Sequence, residues 1–475
     1  MRLHFIDETP LEFGRGTHIC PKAGITQHGV YDVRIDPRRE RILVGAVGTS
    51  ENLQRLQDRL DQWSKPIQSP PDARQPNLFL PFCGFNLESG FRARFVLENE
   101  ITRSLQNSDI KRIVGIREWN DRVNEAVDMY YEQVKFLAQN RAVDVIVCVI
   151  PAMLYDKIAK KEKLPIEESA IDDEPDDIVE TDFRRALKAK AMYLGTPLQL
   201  VRDLSLESNA KAQQDDATKA WNFCTALYYK ANPATVPWKL MTDINRPSIC
   251  FVGIGFYRSR DQRVLNTSLA QIFNELGNGV ILRGTPVDLS KHDRRPHLSR
   301  EQAYDLLKRA LTEYRTALGN YPGRLVMHKS SNYTEDELDG FREATEEGRV
   351  NSIDFVTILD TAMRLFRGGI YPPLRGTHIE LDANTNLLYT RGSVEHFKTY
   401  PGSYIPQPLE IRIVESDESP SVICQEILGL TKMNWNNTQF DRKYPITIEC
   451  ARKVGEIMKY LGEHERPQIR YSFYM

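Results

Sequence analysis

The chain has 475 residues, 41% of them hydrophobic and 9% aromatic, a composition typical of a folded globular protein with two or three domains. Its 63 basic and 65 acidic residues give a formal net charge of −2, which excludes a strong overall attraction to nucleic acids or to acidic membranes. Any binding site for an anion must therefore be local.

Seven cysteines are scattered through the sequence without a C-x-x-C pair, and this argues against a disulfide framework or a zinc site. No window approaches the roughly 18 apolar residues of a membrane-spanning helix. The first residues, "MRLHFIDETPLEFGRG", contain no long apolar stretch. We therefore expect a soluble, cytoplasmic protein with reduced thiols and no membrane contact.

The first half of the chain alternates strand-like and helix-like runs. Strands are predicted at "RILVGAVGT", "NLFLPF", "RIVGI" and "VDVIVCVIP", and helices at "SENLQRLQDRLDQW" and "RVNEAVDMYYEQVKFLAQN". This alternation predicts an α/β domain with a largely parallel sheet. The acidic segment 164–182, which contains two prolines, is predicted to be an exposed loop or a contact for a partner.

The next predicted helix lies in "TDFRRALKAKAMYLGTPLQLV". Thr181 is its expected N-cap, and Gly195 is well placed to end it. Arg184 and Lys188 lie four residues apart on one face, where two like charges destabilise an isolated helix by about 0.2–0.5 kcal/mol. Such a face is either simply solvated or holds an anion that relieves the repulsion.

A second α/β unit begins near "NRPSICFVGIGFY". Strands are predicted at "NGVILRGTPV", "GRLVMH" and "SIDFVTIL", and helices at "SREQAYDLLKRALTEYRTAL" and "TEDELDGFREATEE". This order fits an RNase H-like sheet, although doubly wound folds share the pattern. The strand in "VGIGFYRS" ends at a polar rim without the carboxylate that an enzyme of this general shape would keep there.

Four positions in the first half resemble the guide-binding pocket of Argonaute proteins. They are Arg184, Lys188, Gln199 in the strand-like "PLQLV", and Lys230 at the end of the helix-like "KAWNFCTALYYK". In the MID domain of that family, residues in this order hold the 5′ phosphate of a guide strand. This sequence departs from the family pattern twice, because Arg184 replaces a frequent Tyr and Ala226 replaces a second Lys. These departures imply a weaker or differently organised contact with the phosphate.

The C-terminal segment "YPITIECARKVGEIMKYLGEHERPQIRYSFYM" looks like the last helix and tail of a PIWI domain. In that family the tail packs against the MID domain. The resemblance implies that the terminal carboxylate, here on Met475, helps to ligate a Mg²⁺ ion shared with the guide phosphate, a ligand set that suits this cation. Without the resemblance, "YSFYM" would be interpreted as a final strand packed on the core.

An active PIWI domain resembles RNase H, in which carboxylates at the ends of separate strands hold two metal ions. Here the expected acid positions carry Gly255, Ser330 and Arg452. For the fourth acid, a glutamate on a loop, the sequence offers only Asp288 and Glu301 as nearby candidates. Since a glycine, a serine and a cation do not offset the charge of two divalent ions, the resemblance implies an inactive site. Arg452 is then expected either near a backbone phosphate or in an ordinary ion pair.

Together these segments resemble a short prokaryotic Argonaute, with an N-terminal segment and a Rossmann-like MID domain in residues 1–235 and an RNase H-like PIWI domain in residues 236–475. The resemblance implies a sensor whose guide RNA, or guide DNA, pairs with single-stranded invading DNA. It also implies a partner subunit with an APAZ domain and an effector, most often a sirtuin-like or Toll/interleukin-receptor-like NADase. Duplex contacts are expected at Arg258, Arg260 and Arg263, which are otherwise members of a solvated loop.

Two other classes of function stay open. An active guide-directed nuclease with atypical ligands would require acids close in space to Gly255 and Ser330. A metabolic α/β enzyme with a phosphate-bearing substrate would purify without nucleic acid, and the sequence lacks both a P-loop and a dinucleotide-binding G-x-G-x-x-G after a strand.

Overall fold

The computed structural model describes the whole chain except residues 36–37, 72, 74, 160–181, 208–213, 234, 242–246, 260–264, 274–278, 288–295, 367, 370–371, 403–404, 463–464 and 466. Several predicted features lie outside the described residues. They are the acidic segment up to residue 181, the N-cap Thr181, the arginines Arg260 and Arg263, and the acid candidate Asp288.

The first half forms a parallel sheet between two layers of helices. The first half of the chain contains the strands β1 (Arg2–Phe5), β2 (Leu11–Phe13), β3 (Gly16–His18), β4 (Arg41–Gly48), β5 (Arg94–Val96), β6 (Thr102–Ser104), β7 (Val145–Ile150) and β8 (Leu198–Arg202). Strands β4 to β8 form the parallel sheet. Its helices are α1 (Pro21–His28), α2 (Ser50–Trp63), α3 (Asn107–Val114), α4 (Trp119–Asn140), α5 (Ala152–Ile158), α6 (Asp182–Ala191) and α7 (Asp216–Ala231).

Strands β5, β4, β7 and β8 pair in that order, β6 also pairs with β4, and every pair is parallel. Because β7 is buried on both sides, its sequence "VIVCVI" is a continuous apolar run. Apolar side chains of α2 and α7 cover one face of the sheet, and those of α3 to α6 cover the other. The predicted Rossmann-like arrangement is confirmed.

The second half is built on a larger sheet. Its strands are β9 (Lys239–Leu240), β10 (Ile249–Arg258), β11 (Leu265–Phe273), β12 (Gly279–Val287), β13 (Arg324–Lys329), β14 (Ser352–Asp360), β15 (Thr377–Glu380), β16 (Thr385–Leu388) and β17 (Leu409–Glu415). Its helices are α8 (Arg300–Leu318), α9 (Glu335–Glu347), α10 (Pro420–Leu430) and α11 (Ile446–Met458).

Nine strands form this sheet in the order β1-β15-β16-β17-β14-β13-β10-β11-β12. Strands β10 to β12 are an antiparallel meander, whereas β13 and β14 run parallel to β10. Helices α8 and α9 pack on one face of this core, and α10 and α11 pack on the other. This is the RNase H-like arrangement that the sequence predicted.

The segments do not separate cleanly at the predicted boundary. Strand β1, at the start of the chain, pairs with β15 in the large sheet, and β2 pairs with β9 in a small three-stranded sheet with β3. The division into residues 1–235 and 236–475 stays a prediction. No helix in the described ranges is both long enough and apolar enough to cross a membrane.

Two strand predictions in the first half are wrong. The run "NLFLPF" contains a 3₁₀ turn at Pro76–Leu78 and only an isolated bridge from Phe82 to Ile67. The run "RIVGI" continues α3, where Ile110 and Ile113 are buried on one helical face. Short apolar runs do not distinguish a strand from a buried helical turn, so the period of the whole segment had to decide.

Helix α11 lies directly on β10 because two glycines allow a close approach. A Cβ atom on Gly253 would come within 2.2 Å of the carbonyl oxygen of Thr447, and one on Gly255 within 3.0 Å of the Cβ of Ala451. The helix therefore runs along the strand. Ala451 of this helix therefore contacts Gly255, and Arg452 is the next residue.

Candidate functional site

The four predicted pocket residues come from three elements of the first half. Arg184 and Lys188 lie on α6, Gln199 on β8, and Lys230 near the end of α7. Helix α6 buries Phe183 and other apolar side chains in the core, and this orientation leaves the two basic residues on a different face. After α6, a 3₁₀ turn ends at a left-handed glycine, as predicted for the helix stop at residue 195.

The structure brings three of these residues together around the C-terminus. The ammonium of Lys188 donates to an oxygen of the terminal carboxylate of Met475. The ammonium of Lys230 donates to the side-chain oxygen of Gln199 and, over 3.2 Å, to the same oxygen of Met475. Residues far apart in sequence, on separate elements, therefore converge on the last residue of the chain.

The tail reaches this position as a buried turn. Tyr471–Phe473 form a 3₁₀ helix, and Met475 is only 3% exposed. The tail is held by the hydroxyl of Tyr474, which donates over 2.8 Å to the carbonyl oxygen of Gln468, and by the side chain of Gln468, which donates to the carbonyl oxygen of Met192. The alternative interpretation of "YSFYM" as a final strand is wrong, because the segment packs as a turn against the first half.

Two clefts meet beside these residues. The first, which we call the carboxyl-terminal cleft, has a volume of about 230 Å³ and is lined by Arg184, Arg185, Lys188, Asn436, Lys453, Glu456, Ile457, Tyr471, Tyr474 and Met475. The second, the adjoining cleft, has a volume of about 150 Å³, and its walls include Trp63, Gln199, Arg202, Asn222 and Phe223. Arg184 and Asn436 line both clefts, so Arg184 joins the predicted set at the junction.

The carboxyl-terminal cleft carries an excess of positive charge. Four cationic side chains line it, against Glu456 and the terminal carboxylate, and Lys230 is buried beneath. Burial and the charge of Arg184 lower the pKa of Lys230 well below its usual range. The repulsion between these cations raises the free energy of the unliganded cleft, and a bound anion would lower it.

Three residues of the site were missed by reasoning from the sequence. Arg185 pairs with Glu456 at 2.9 Å, and Lys453 of α11 faces the cleft from the second half. Asn436 lies between the two clefts, in a loop with no recognisable motif. Only the packing of the second half against the first could identify Lys453 and Asn436.

The donor set at the C-terminus fits a Mg²⁺ ion only together with an anionic ligand. The terminal carboxylate of Met475 and the amide oxygen of Gln199 are oxygen donors of the type that Mg²⁺ prefers. In the described part of the chain, no group of three or more His, Cys, Asp or Glu side chains is arranged to hold a metal ion. Oxygens of a bound phosphate would therefore have to complete the coordination.

The three positions predicted to have lost their acids lie at one end of the large sheet. Ile254 pairs with Lys329 in the parallel register, so Gly255 lies beside Ser330 at the point where β13 ends and β10 continues to Arg258. The exposed Arg452 lies one residue after Ala451, which packs on Gly255. The three positions therefore lie on separate elements, namely strand β10, the residue after β13, and helix α11. Their assignment as former metal-ligand positions stays a prediction.

Two carboxylates at this end of the sheet are held by other side chains. Asp360 accepts hydrogen bonds from Tyr444 at 2.6 and 2.8 Å and pairs with Lys443 at 2.9 Å. Burial opposes its ionisation, but these two partners outweigh burial and lower the pKa of Asp360. Glu337 forms a fully buried ion pair with Lys329.

The remaining predicted residues have ordinary positions. Arg258 is exposed at the end of β10, opposite Leu265. Glu301 is exposed in the first turn of α8, where a carboxylate complements the helix dipole. The structure does not bring Glu301 into the candidate site. Its role as a fourth acid stays a prediction.

No protein-family model matches the chain. In sequence, the chain is 26% identical over 234 residues to the protein argonaute of Aquifex aeolicus (strain VF5), which covers 48% of this chain and 30% of that protein. In structure, it is similar to Clostridium butyricum Argonaute bound to a guide DNA (5′ deoxycytidine) and a 19-mer target DNA, with a TM-score of 0.67, 15% identity, and coverage of 98% of this chain and 53% of that one.

Two further solved structures are also similar in fold to this chain at low sequence identity. Marinitoga piezophila Argonaute in complex with a 5′-hydroxyl guide RNA has a TM-score of 0.57 and 13% identity, covering 100% of this chain and 59% of that one. Drosophila Piwi has a TM-score of 0.61 and 12% identity, covering 99% and 56%. The chain thus spans less than two thirds of the length of each relative. Over its own length, it has the fold of the MID and PIWI domains of Argonaute proteins.

Proposed function

We propose that this protein binds the 5′-phosphorylated end of a guide strand in the carboxyl-terminal cleft. The observation that carries the proposal is the convergence of Lys188, Lys230 and Gln199 on the terminal residue Met475. Each member of this set is also one of the pocket residues that the sequence predicts. A site that assembles from four distant segments and has surplus positive charge is suited to a terminal phosphate.

The chemistry of the cleft matches that of a phosphate monoester. Such a group carries about −1.5 to −2 charges at pH 7 and offers three acceptor oxygens. Each charge-assisted hydrogen bond contributes roughly 1.5–3 kcal/mol net. Lys188 and Lys230 supply ammonium donors, and Arg184 stands at the mouth with a planar fork of donors. A guide with a 5′ hydroxyl would make none of these charge-assisted contacts to a terminal phosphate.

A Mg²⁺ ion would strengthen the contact between phosphate and protein. The carboxylate of Met475 and the oxygen of Gln199 would hold it together with the phosphate, and the ion would screen the repulsion between the two anionic groups. The lysines would then donate to the phosphate oxygens.

The adjoining cleft offers space for the first nucleotide of the guide. Trp63 and Phe223 give it apolar walls, and Asn222 and Asn436 give it amide groups. A base that leaves the phosphate site past Arg184 would enter this cleft. Stacking and a few polar contacts are sequence-tolerant, so we expect only a moderate preference for one first base.

We further propose that the protein senses a target without cutting it. The three predicted metal-ligand positions carry Gly255, Ser330 and Arg452 and cannot hold two divalent ions. The guide RNA, or guide DNA, would pair with single-stranded invading DNA, and base pairing would supply the specificity. A separate APAZ-containing subunit, sirtuin-like or Toll/interleukin-receptor-like, would then consume NAD. Relatives solved with a guide DNA and target DNA, or with a guide RNA, support nucleic acids of either kind as ligands.

The test is to purify the protein together with the product of its neighbouring open reading frame and to sequence and end-label the short nucleic acid that accompanies it. We expect short strands that a kinase labels only after phosphatase treatment, because a 5′ phosphate blocks direct labelling. Addition of a complementary DNA strand should start NAD loss without shortening of that strand. Purification free of nucleic acid, together with no affinity for a synthetic 5′-phosphorylated guide, would overturn the proposal.

A further inference from the structure

A further cavity, which we call the tail pocket, lies at the end of α11, apart from the two clefts described above. Its volume is about 490 Å³, more than twice that of the carboxyl-terminal cleft. Strands β10, β11 and β12 form one side, α8 contributes one arginine, and the end of α11 with the segment that follows forms the other side. Its lining includes Tyr257, Asn266, Arg283, Arg309, Met458 and Leu461.

A buried tyrosine in the lining has a hydroxyl without a hydrogen bond. Tyr257 is 5% exposed because α11 lies directly on it, and a Cβ atom on Gly455 would come within 2.7 Å of the Cβ of Tyr257. Among the described residues, none pairs with its hydroxyl in hydrogen-bond geometry. Burial raises the pKa of Tyr257, although the nearby charge of Arg283 opposes that shift. The hydroxyl is therefore a protonated, unsatisfied donor, and an oxygen of a ligand would satisfy it.

Two arginines give the tail pocket a positive charge. The Nη1 atom of Arg283 donates over 2.8 Å to a backbone carbonyl after the end of α11, and that of Arg309 donates over 3.0 Å to the carbonyl of Arg283. These neutral acceptors fix the two guanidinium groups and leave their charges in place. Of the described lining residues, Glu465 supplies one carboxylate, whereas Lys459 pairs with Glu456 at 2.5 Å. Two fixed arginines thus share the pocket with a single carboxylate.

The tail pocket also has an apolar wall. Met458 and Leu461 at the end of α11 contribute to it, together with Pro286 and Pro467. Asn266, which is 6% exposed, adds an amide group. Apolar walls with a few convergent polar groups, in a volume of about 300–1,000 Å³, are typical of sites for small organic molecules. An inorganic ion alone would leave most of this volume and the apolar wall without a contact.

We infer that the tail pocket binds a small organic phosphate, a phosphate monoester carried by a compact organic body. A phosphate offers three oxygens to three donors, namely the guanidinium groups of Arg283 and Arg309 and the hydroxyl of Tyr257, whereas a carboxylate offers two. The organic body would pack against Met458 and Leu461. The inference goes beyond guide binding and does not depend on it, because the tail pocket and the carboxyl-terminal cleft share no described lining residue.

A ligand in this pocket would contact two segments that pack together. Arg283 of β12 holds the chain after α11, and the amide of Ile281 on the same strand donates over 2.7 Å to the carbonyl oxygen of Ile469. A phosphate bound by the arginines would therefore bridge β12 and the segment that leads to the C-terminus. Because such a ligand binds only the folded chain, it should raise the melting temperature.

The experiment measures binding of AMP, ribose 5-phosphate and inorganic phosphate to the full chain by isothermal titration calorimetry. Adenosine and ribose serve as probes without the phosphate. AMP also resembles the 5′ end of a guide, so each titration is repeated with Lys188→Ala and with protein saturated with a 5′-phosphorylated guide. Binding of the organic phosphates in the tail pocket should persist in both cases and should be at least tenfold tighter than binding of inorganic phosphate or of the probes without phosphate.

Two variants locate the probe in the tail pocket. Tyr257→Phe removes one oxygen and keeps the ring, so the ligand-free variant should melt at the same or a higher temperature while its affinity for AMP falls about two- to tenfold. Arg309→Ala, at an exposed position of α8, should weaken AMP binding about tenfold or more. The matched control is Arg315→Ala on the same helix, where the exposed arginine stacks on Tyr321 at 5.3 Å, and it should leave the affinity unchanged.

Failure of AMP and ribose 5-phosphate to bind to Lys188→Ala and to the guide-saturated protein would overturn the inference and leave the proposed guide binding intact. Affinities that Tyr257→Phe and Arg309→Ala do not change would also overturn it, as would adenosine that binds as tightly as AMP. Should the unmodified protein bind AMP but no guide, the proposed function would fail alone, and the titration of Lys188→Ala would still decide whether the tail pocket binds the probe.

Discussion

Lys230 and Met475 are 245 residues apart in sequence, yet the ammonium of Lys230 lies 3.2 Å from an oxygen of the terminal carboxylate of Met475. This contact fixes the end of the second half against the last turn of α7 in the first half. It also buries the ammonium of Lys230 from the first half beside the last residue of the second half. The candidate site therefore exists only when both halves of the chain are folded and packed together.

Removal of either buried lysine should weaken binding of a phosphorylated guide. Lys188→Ala or Lys230→Ala removes one charge-assisted contact, which corresponds to roughly 1.5–3 kcal/mol, or about a 10- to 150-fold loss of affinity. Direct titration with a labelled 5′-phosphorylated guide measures the change.

The matched control for these variants is Lys190→Ala on the same helix, since the exposed Lys190 pairs with Asp128 away from the cleft. It should leave guide affinity unchanged. A guide with a 5′ hydroxyl should bind the lysine variants and the unmodified protein alike. If both guides lose affinity equally, the lysines support the structure or the general backbone contact and do not recognise the phosphate.

Extension of the chain beyond Met475 should impair guide loading. An added residue converts the terminal carboxylate into a neutral amide, and the 3% exposure of Met475 leaves no route for the extra chain without displacing the turn at Tyr471–Phe473. We expect at least a tenfold loss for a C-terminal tag. A tag before Met1, which is 93% exposed, is the control and should have no effect. Unchanged loading with the C-terminal tag would remove Met475 from the site.

Binding of a phosphorylated guide should weaken as the pH rises. In the ligand-free pocket, burial and Arg184 lower the pKa of Lys230. A bound phosphate dianion stabilises the ammonium and raises that pKa, so binding takes up a proton at any pH between the two values. Affinity must then fall with increasing pH inside this window and become constant below the ligand-free pKa.

The pH series should be measured above about pH 7, because the phosphate has its own second pKa near 6. Lys230→Met should bind more weakly and lose the pH dependence, since the titrating group is gone. A 5′-hydroxyl guide should show no comparable slope with the unmodified protein. An equal slope with both guides would assign the titration to a group outside the phosphate contact.

Removal of Mg²⁺ should weaken the binding of a 5′-phosphorylated guide but not of a 5′-hydroxyl guide. Met475 supplies a carboxylate and Gln199 an amide oxygen, so the proposed ion depends on the phosphate for its remaining anionic ligand. Chelation with EDTA should lower affinity for a 5′-phosphorylated guide and not for a 5′-hydroxyl guide. Identical binding with and without EDTA would show that Lys188 and Lys230 alone neutralise the phosphate and the terminal carboxylate.

The sequence predicted more of the site than of its surroundings, for a physical reason. Arg184 and Lys188 share a helical face that their spacing alone defines, and Lys230 ends a helix whose period is clear. Such local features survive in any tertiary context. Spacing alone did not decide whether this helical face binds an anion or is simply solvated. The resemblance to a known family predicted one shared ligand, the 5′ phosphate of a guide.

The sequence could not predict contacts that depend on how the two halves pack. Lys453 and Asn436 face the clefts only because α11 and the preceding loop lie against α6 and α7. In the first half, "RIVGI" was predicted as a strand, although burial of Ile110 and Ile113 on one face stabilises a helix there. Long-range packing decided the positions of Lys453 and Asn436, and no local pattern records it, whereas for "RIVGI" the helical period of the longer segment was the signal.

Restoring acids at two of the vestigial positions should not restore cleavage. Gly255→Asp and Ser330→Asp return two carboxylates, but the new Cβ at position 255 lies 3.0 Å from the Cβ of Ala451, so α11 must shift by a few tenths of an ångström. A two-metal site tolerates little displacement. The double variant should therefore load a guide, pair with DNA and leave it intact in the presence of Mg²⁺ or Mn²⁺.

Arg452 is the second obstacle to cleavage. At an effective dielectric of about 20, a unit positive charge roughly 4 Å from a divalent ion costs on the order of 8 kcal/mol before screening, twice the value for two unit charges. The ring of Tyr444 holds the guanidinium in place, so the charge does not simply swing away. Only a triple variant that adds Arg452→Asp, with a glutamate supplied as the fourth ligand, should give any cutting.

Gel analysis of guide-paired labelled DNA tests the series, with a non-complementary guide as control for contaminating nuclease. Metal-dependent cleavage by the unmodified protein that requires the matching guide would contradict the sensor proposal, because it would require ligands other than the residues at these three positions.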